Sequence, residues 1–580
     1  AVWCWAAGSL WAITRLARKP DLIGWGVLSF SVYSLLMTAY PQPVVFHTYI
    51  LGAYGLYLAF RKGRSEPYEM GRFLAYSLSA LMVGGVLALP VYIDLANQYA
   101  ESARIAPDPS FFTAVLPKFS AWIEVVRFFV RCTFPELFGN PVAPGFPFSY
   151  DGLSATTPVV FFSIIALLAV YRRTWGWWLA ILILGVFAFV HPLYVLGIKY
   201  LGFNLSRTSP LGSITLPLTI IVAHGVDALV KRRSPGQLSK QVSVAVICVL
   251  VILVIGICFG FHQAISIRWS LVPVILGMTG LLALQQRKTR PALLIAALIM
   301  VLATSSFPLM LHQDPKKIAT TSPLVERLRL NLPGDTRFAV AAPGISALPP
   351  NLNAELDLAS IHSYNGLSPL RYHRLIEALG GEVTTYGRLN VSISPDYDSV
   401  LFWMSNIGLM LSPTRLSHKN LEYLGQESGI NLYKVISRMG DSIQVNHGVP
   451  NITQNDLILE DPRILPRHPV SKLLDQGDVL EFEVTPGPPS VLVLSRKFHR
   501  DWQARVLVGS GWTFAQTTAV NEVFQGVLIP NDSRRVRLEF KPWARHAWIA
   551  HVFWLLLLVV SGWTLWRKKF DGKEGKLVVE

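Results

Sequence analysis

The sequence predicts a polytopic α-helical membrane protein with an outer α/β segment and a C-terminal antiparallel β-sandwich. Three observations predict it. Of 580 residues, 52% are hydrophobic and only 15% are charged, where a soluble chain carries nearer ~25% charged residues. Clusters of Arg and Lys recur after every second apolar segment. Residues 441–546 read as short strands separated by turn residues, ahead of one last apolar segment.

About eleven apolar segments read as membrane helices, some of them short for a bilayer: 1–14, 22–39, 44–60, 73–93, 157–171, 175–190, 211–230, 242–262, 269–285, 292–311 and 547–566. Between them lie Arg15, Arg18 and Lys19; Arg61, Lys62, Arg64 and Arg72; Arg172 and Arg173; Lys231, Arg232, Arg233 and Lys240; Arg287, Lys288 and Arg290; and Arg567, Lys568 and Lys569. Positive charge is retained on the cytoplasmic side, so the alternation orients the chain. Two large regions, about 96–156 and 312–546, then face outward. Trp175, Trp177, Trp178, Trp269, Trp563 and Trp566 lie near span ends, as an aromatic belt does.

This gives a membrane domain over 1–311 with an outer loop at 96–156. An outer α/β segment follows at 312–440 and a β-sandwich at 441–546. A final transmembrane helix at 547–566 and a cytoplasmic tail at 567–580 close the chain. Apolar residues at helical spacing in the first outer loop predict short helices along the membrane surface. In the α/β segment, Ser322–Leu330 and Arg371–Leu379 read as helices, Arg337–Ala342 as a strand and Val400–Leu411 as buried structure. Val479–Val484 alternates apolar and polar at period two, the mark of a half-buried strand. Val491–Leu494, Ala504–Val508, Gly526–Ile529 and Val536–Phe540 continue the set. Ala1 already lies in an apolar stretch, and the outside-to-inside sense of 1–14 predicts further crossings upstream.

Several function classes drop out. The net charge of +16 sits mainly in short loops that meet anionic membrane lipids, so nucleic acid is not a partner on this reading. The four cysteines show no metal-ligand spacing and no disulfide framework. No phosphate-binding glycine loop, zinc-protease motif or hydrolase elbow occurs, which argues against a nucleotide-driven pump. Asp227 and His224 beside Lys231 read more simply as an interfacial ion pair than as a proton relay.

Arg207 stands before an apolar helix, in the outer turn 191–210 that also holds Lys199. An arginine beside free helix amides suits an anionic group such as a lipid phosphate; an arginine reaching up to headgroups is the other reading. Glu101, Arg104, Asp108, Glu124, Arg127, Glu136 and Asp151 are polar candidates in the first outer loop. Trp502 and Trp512 could pack on sugar rings, or Trp502 could fill the sandwich core. No cofactor follows from the residues, and a divalent cation is the one left open.

The order of these features, with several short motifs, resembles the bacterial YfhO membrane protein family, which belongs with the GT-C glycosyltransferases. Tyr40-Pro-Gln-Pro43 looks like that family's turn before a span. Leu89-Pro90 followed by Gln98 and Ser102-Ala-Arg104 is similar to its span end, and Pro135-Glu-Leu-Phe-Gly139 to its loop. Tyr364–Tyr372, Asn406–Leu411 with Leu432-Tyr433, Leu494–Ala504 and Asn521–Gly526 resemble its outer segments. His499-Arg-Asp501 departs from the Tyr-Pro-Gly expected before Trp502.

The resemblance implies a bacterial cytoplasmic membrane protein that moves a sugar from a polyprenyl-phosphate donor to a cell-envelope glycan or lipid acceptor on the outer face. It implies phosphate binding by Arg207 with Arg104 and Lys199, and acceptor binding by Trp502 and Trp512. Its catalytic aspartate would lie upstream of Ala1. The alternative is a non-catalytic scaffold or accessory subunit with an outer glycan- or protein-recognition domain. A transporter lacks support, because no paired broken helices are visible.

Overall fold

The computed structural model describes residues 2–38, 41–102, 157–202, 213–231, 322–342, 358–362, 368–381, 392–446 and 456–574, with isolated positions at 356 and around 244–248. The chain forms two compact units. The first comprises Ala1–Leu89, Pro107–Gln313 and Ile549–Glu580; the second comprises Pro90–Ala106 and Asp314–Trp548.

The first unit is helical. Its elements are α1 (Val2–Arg18), α2 (Leu22–Leu36), α3 (Pro41–Gly63), most of α4 (Pro67–Ala100), α5 (Thr157–Phe189), α6 (His191–Tyr200), α7 (Thr215–Lys231) and α11 (Trp548–Glu574). Asp21 starts α2 by accepting the Gly24 amide at 2.8 Å, while its other oxygen lies 2.6 Å from Arg15. Where α2 meets its neighbours the residues are small. A Cβ on Gly84 would sit 2.6 Å from the Ser29 carbonyl, and one on Gly8 would sit 2.7 Å from the Ser31 hydroxyl. Such close approach gives apolar helices packing energy that lipid cannot offer them. Phe30 stands edge-on to both Trp5 and Trp554, each at 5.1 Å, joining α1, α2 and α11.

Among the described residues, three helices are long and apolar enough to cross a membrane: Pro67–Ala100, Ser163–Phe187 and Trp543–Trp563. Three expectations need correction. The segments 157–171 and 175–190 are not helices parted by a loop. They meet at a kink at Val170 (φ −141°, ψ 28°), with Arg172 and Arg173 inside the helical element. No Gly or Pro lies between Val170 and Trp175 to break the helix. Residues 191–200 form α6 rather than part of a turn. Finally, α4 runs on to Ala100 with Pro90 inside it, so residues 96–100 are helix and not surface loop. The expected spans at 242–262, 269–285 and 292–311 lie outside the described residues, apart from isolated positions near 244–248.

The second unit contains α8 (Pro323–Asn331), β1 (Arg337–Val340), α9 (Leu370–Ala378), α10 (Val400–Met404), β2 (Ile407–Ser412), β3 (Leu421–Glu427) and β4 (Ile430–Val435). Ser322 caps α8 through the Val325 amide. The strands form one sheet in the order β1-β2-β4-β3, with β1 and β2 parallel. Leu324, Val325 and Leu328 of α8 pack on one face, against Phe338, Leu409 and Leu432. The other face belongs to a larger core that also takes Val491, Val493, Val520 and Phe524 from the sandwich. The α/β segment and the sandwich therefore share buried residues. That burial on both faces explains why β2 reads as a continuous apolar run.

The sandwich has eleven strands: β5 (Ser442–Asn446), β6 (Asp456–Leu457), β7 (Arg467–His468), β8 (Ser471–Asp475), β9 (Val479–Glu483), β10 (Ser490–Lys497), β11 (Trp502–Val508), β12 (Gly511–Ala515), β13 (Thr517–Val520), β14 (Phe524–Ile529) and β15 (Ser533–Phe540). One sheet runs β12-β11-β15-β9-β8 and is antiparallel throughout; the other runs β6-β13-β14-β10-β5-β7. In the second sheet β6 joins β13 in parallel, so the expected all-antiparallel pairing fails at that edge. The two-residue strand is held there because Asn521 donates to the Leu457 carbonyl and accepts from the Leu459 amide. Leu480, Phe482, Leu492, Val506, Val527 and Leu538 fill the space between the sheets.

Candidate functional site

Among the described residues of the second unit, three concavities stand out. The largest of these three is a groove of about 590 Å³ where β11 and β12 meet the segment before them. Phe498, Trp502 and Phe514 line it with Arg500, Gln503 and Gln516. Phe514 is 75% exposed, and the Arg505 guanidinium lies 4.9 Å from its ring centre. Trp502 is half-buried at the rim of the sandwich core and stands 5.2 Å from Phe540, its cross-strand neighbour. Behind the groove, Arg371 lies 5.7 Å from the Phe498 ring and forms an ion pair with Asp456 at 2.5 Å. Open aromatic faces beside amide side chains suit a ring that is apolar on its faces and polar at its edge.

A second cleft, of about 310 Å³, runs along the end of α4. Asp94 is buried and accepts two backbone amides, Trp543 at 3.0 Å and Ala544 at 2.6 Å. Glu101 lies 3.5 Å from Arg500, and its carbonyl accepts the Leu370 amide. His499 sits 3.6 Å from Asp501. Desolvation holds this imidazole below its usual pKa, against the opposing pull of Asp501 and Glu101. Among the described residues, no group of three His, Cys, Asp or Glu side chains is placed to hold a metal ion.

The third concavity, of about 250 Å³, lies where the four-stranded sheet meets the sandwich. Arg337, at the start of β1, reaches across to β10. It donates to the Ser405 carbonyl at 3.1 Å, to the Ser495 hydroxyl at 2.8 Å and to the Ser495 carbonyl. Desolvation lowers its pKa. Tyr372 donates its hydroxyl to the Ile361 carbonyl, and burial pushes its pKa up to about 12. Lys497 is exposed as a residue, yet enough protein surrounds its ammonium that desolvation lowers the pKa against the pull of Glu101.

Of the sequence-predicted site residues, Lys199, Trp502 and Trp512 fall among the described residues. Arg207 and Arg104 lie outside the described residues, and Lys199 is exposed in the last turn of α6. Trp502 and Trp512 stand on opposite faces of their sheet. Trp502 shares the face of the buried Ala504 and Val506, while Trp512 pairs with Leu507 on the other. A platform built from both is excluded by that alternation. Phe498, Phe514, Arg337 and Lys497 were not singled out from the sequence. The signal available was the density of cations and aromatics in Arg496–Trp502. Comparison with family models, with curated proteins and with solved structures returned no match.

Proposed function

We propose that this protein is a membrane glycosyltransferase that moves a sugar from a polyprenyl-phosphate donor to a cell-envelope glycan or lipid acceptor, with the sandwich groove seating the acceptor. The observation that carries the carbohydrate part is the groove itself. Phe498 and the exposed Phe514 ring line it with the amides of Gln503 and Gln516, and the half-buried Trp502 stands at its rim. Some of the segments that carry the family resemblance also meet in this unit. Ser102 bridges to Pro369, Arg371 reaches the Glu522 carbonyl, and Phe498 donates its amide to Val523.

On this reading the chain sits in the bacterial cytoplasmic membrane with the second unit outside. The acceptor oxygen attacks the anomeric carbon, and the bond from that carbon to the phosphate oxygen breaks. The polyprenyl phosphate leaves with the electron pair, while the hydroxyl proton passes to a carboxylate. The departing phosphate needs positive charge rather than a general acid, the role assigned to Arg207 with Arg104 and Lys199.

A second reading has its own support. The carboxylates of the α4 cleft are engaged: Asp94 by two amides, Glu101 by Arg500 and Asp501 by His499. Carboxylates held in this way suit recognition rather than catalysis, as in a non-catalytic scaffold.

The test uses the full chain in vesicles supplied with a polyprenyl-phosphate sugar and envelope glycan. Transfer is expected, and Arg207→Ala should lower it by on the order of 2–4 kcal/mol of transition-state stabilisation. Glycan binding without transfer selects the scaffold reading. Absence of both rejects the two together. Impermeant labelling of a cysteine at 350, but not at 575, is expected in whole cells; the reverse pattern overturns the orientation.

A further inference from the structure

We propose that the cavity walled by Arg337, Tyr372 and Lys497 binds a small oxyanion, the carboxylate or phosphate group of a compact polar ligand. The proposal does not depend on the transferase reading, because the cavity is separate from the aromatic groove.

The charges carry the argument. Arg337 makes no ion pair among the described residues, and its three acceptors are all neutral groups of Ser405 and Ser495. A guanidinium has five N–H donors, so two remain. Lys497 on the same wall likewise has no ion-pair partner among the described residues. Arg496 adds a third cation, which Asp475 neutralises at 2.7 Å. The nearest acidic influences on the other two are Asp441 and Glu101, neither within ion-pair distance.

A clamp that ties β1 to β10 accounts for Arg337 alone. It does not account for a second cation without an ion-pair partner on the wall of the same cavity, Lys497, where no carboxylate of the lining balances the charge. An oxyanion would balance both charges and take up the free donors. The Ser495 hydroxyl accepts from Arg337 and keeps its own proton to donate. At about 250 Å³ the space admits a phosphate ester or a single sugar ring, not a long chain.

The experiment is calorimetric titration of the full-length protein in detergent with inorganic phosphate, glucuronate and glucose. Saturable binding of phosphate or glucuronate is expected, with none for glucose. The tighter of the two anions identifies the source as a phosphate ester or an acidic sugar. Lys497→Met should weaken that binding about tenfold, the loss of one charge-assisted contact. Lys434→Met, an exposed position of β4 that does not line the cavity, should leave it unchanged. Arg337→Lys keeps the charge but loses the planar fork, so it should also weaken binding; a thermal melt run alongside shows whether that variant folds. No binding of either anion, equal binding of glucose and glucuronate, or wild-type affinity in Lys497→Met would each overturn the proposal.

Discussion

Removing Phe514 and Trp502 one at a time separates ligand contact from packing. Phe514 is 75% exposed on the edge strand β12, and its main neighbour is Arg505 at 4.9 Å. An exposed cation–π pair contributes roughly 0.5–1 kcal/mol, so Phe514→Ala should cost the fold less than about 1 kcal/mol. Trp502 packs half-buried against the sandwich core and Phe540. Full truncation of a core aromatic costs about 3–5 kcal/mol, so this half-buried one should cost about 2 kcal/mol. If a sugar stacks in the groove, an aromatic face contributes roughly 0.5–1.5 kcal/mol to binding. Phe514→Ala should then bind envelope oligosaccharide about two- to tenfold more weakly with an unchanged melting temperature. Trp502→Ala should lose both affinity and stability. Tryptophan fluorescence titration and thermal unfolding of the same samples read the two quantities. Wild-type affinity in Phe514→Ala would refute the groove as a carbohydrate site, however Trp502→Ala behaves.

Lys472 lies 3.0, 3.1 and 3.3 Å from Asp335, Asp441 and Asp475. Lys472→Met leaves Asp335 and Asp441 without their cation while Asp475 keeps Arg496, and with solvent screening at Asp335 we expect a loss of about 1–2 kcal/mol in urea unfolding, smaller at high salt. A Cβ on Gly408 would meet the Thr336 hydroxyl at 2.2 Å, so Gly408→Ala should cost about 1–3 kcal/mol. Thr336→Ala in the same chain should restore part of it, which a double-mutant cycle measures. The depressed pKa of His499 means that the unfolded chain binds this proton more readily. Its contribution to stability is therefore full above the unfolded value of about 6.5 and is lost as pH falls through the folded one. His499→Gln should flatten that part of the stability–pH curve.

Much of the fold was legible because it follows from local chemistry. Ser322 before Pro323 marks a helix start, and Ser322 does cap α8. The alternation in Val479–Val484 places Leu480, Phe482 and Val484 inward, where all three are buried. Tertiary packing hid the rest. The expected span stops at residue 93, yet α4 runs on to Ala100 with Pro90 inside it, since a proline in a long helix forfeits only one hydrogen bond when neighbours hold both sides. The end of α4 is held by Asp94, whose partners lie about 450 residues away in sequence. No local pattern announces a carboxylate that caps a distant turn.

The site divides in the same way, and the two tryptophans show where. The separation of Trp502 from Trp512 could have been read from the sequence. Gly509-Ser510 is a two-residue hairpin turn with φ +60° at Gly509, which places Val508 opposite Gly511. That register puts Leu507 across from Trp512 and Arg505 across from Phe514. Counting back along β11, Trp502 falls on the face of Ala504 and Val506, opposite to Leu507. Period-two alternation then parts the tryptophans and brings Phe514 out beside Arg505. Arg337 and Lys497 are different. They lie 160 positions apart and meet only because β1 packs beside the end of β10 across the junction of two sheets. A register can be counted within a hairpin, but the meeting of two sheets cannot, so the oxyanion cavity had to be found in three dimensions.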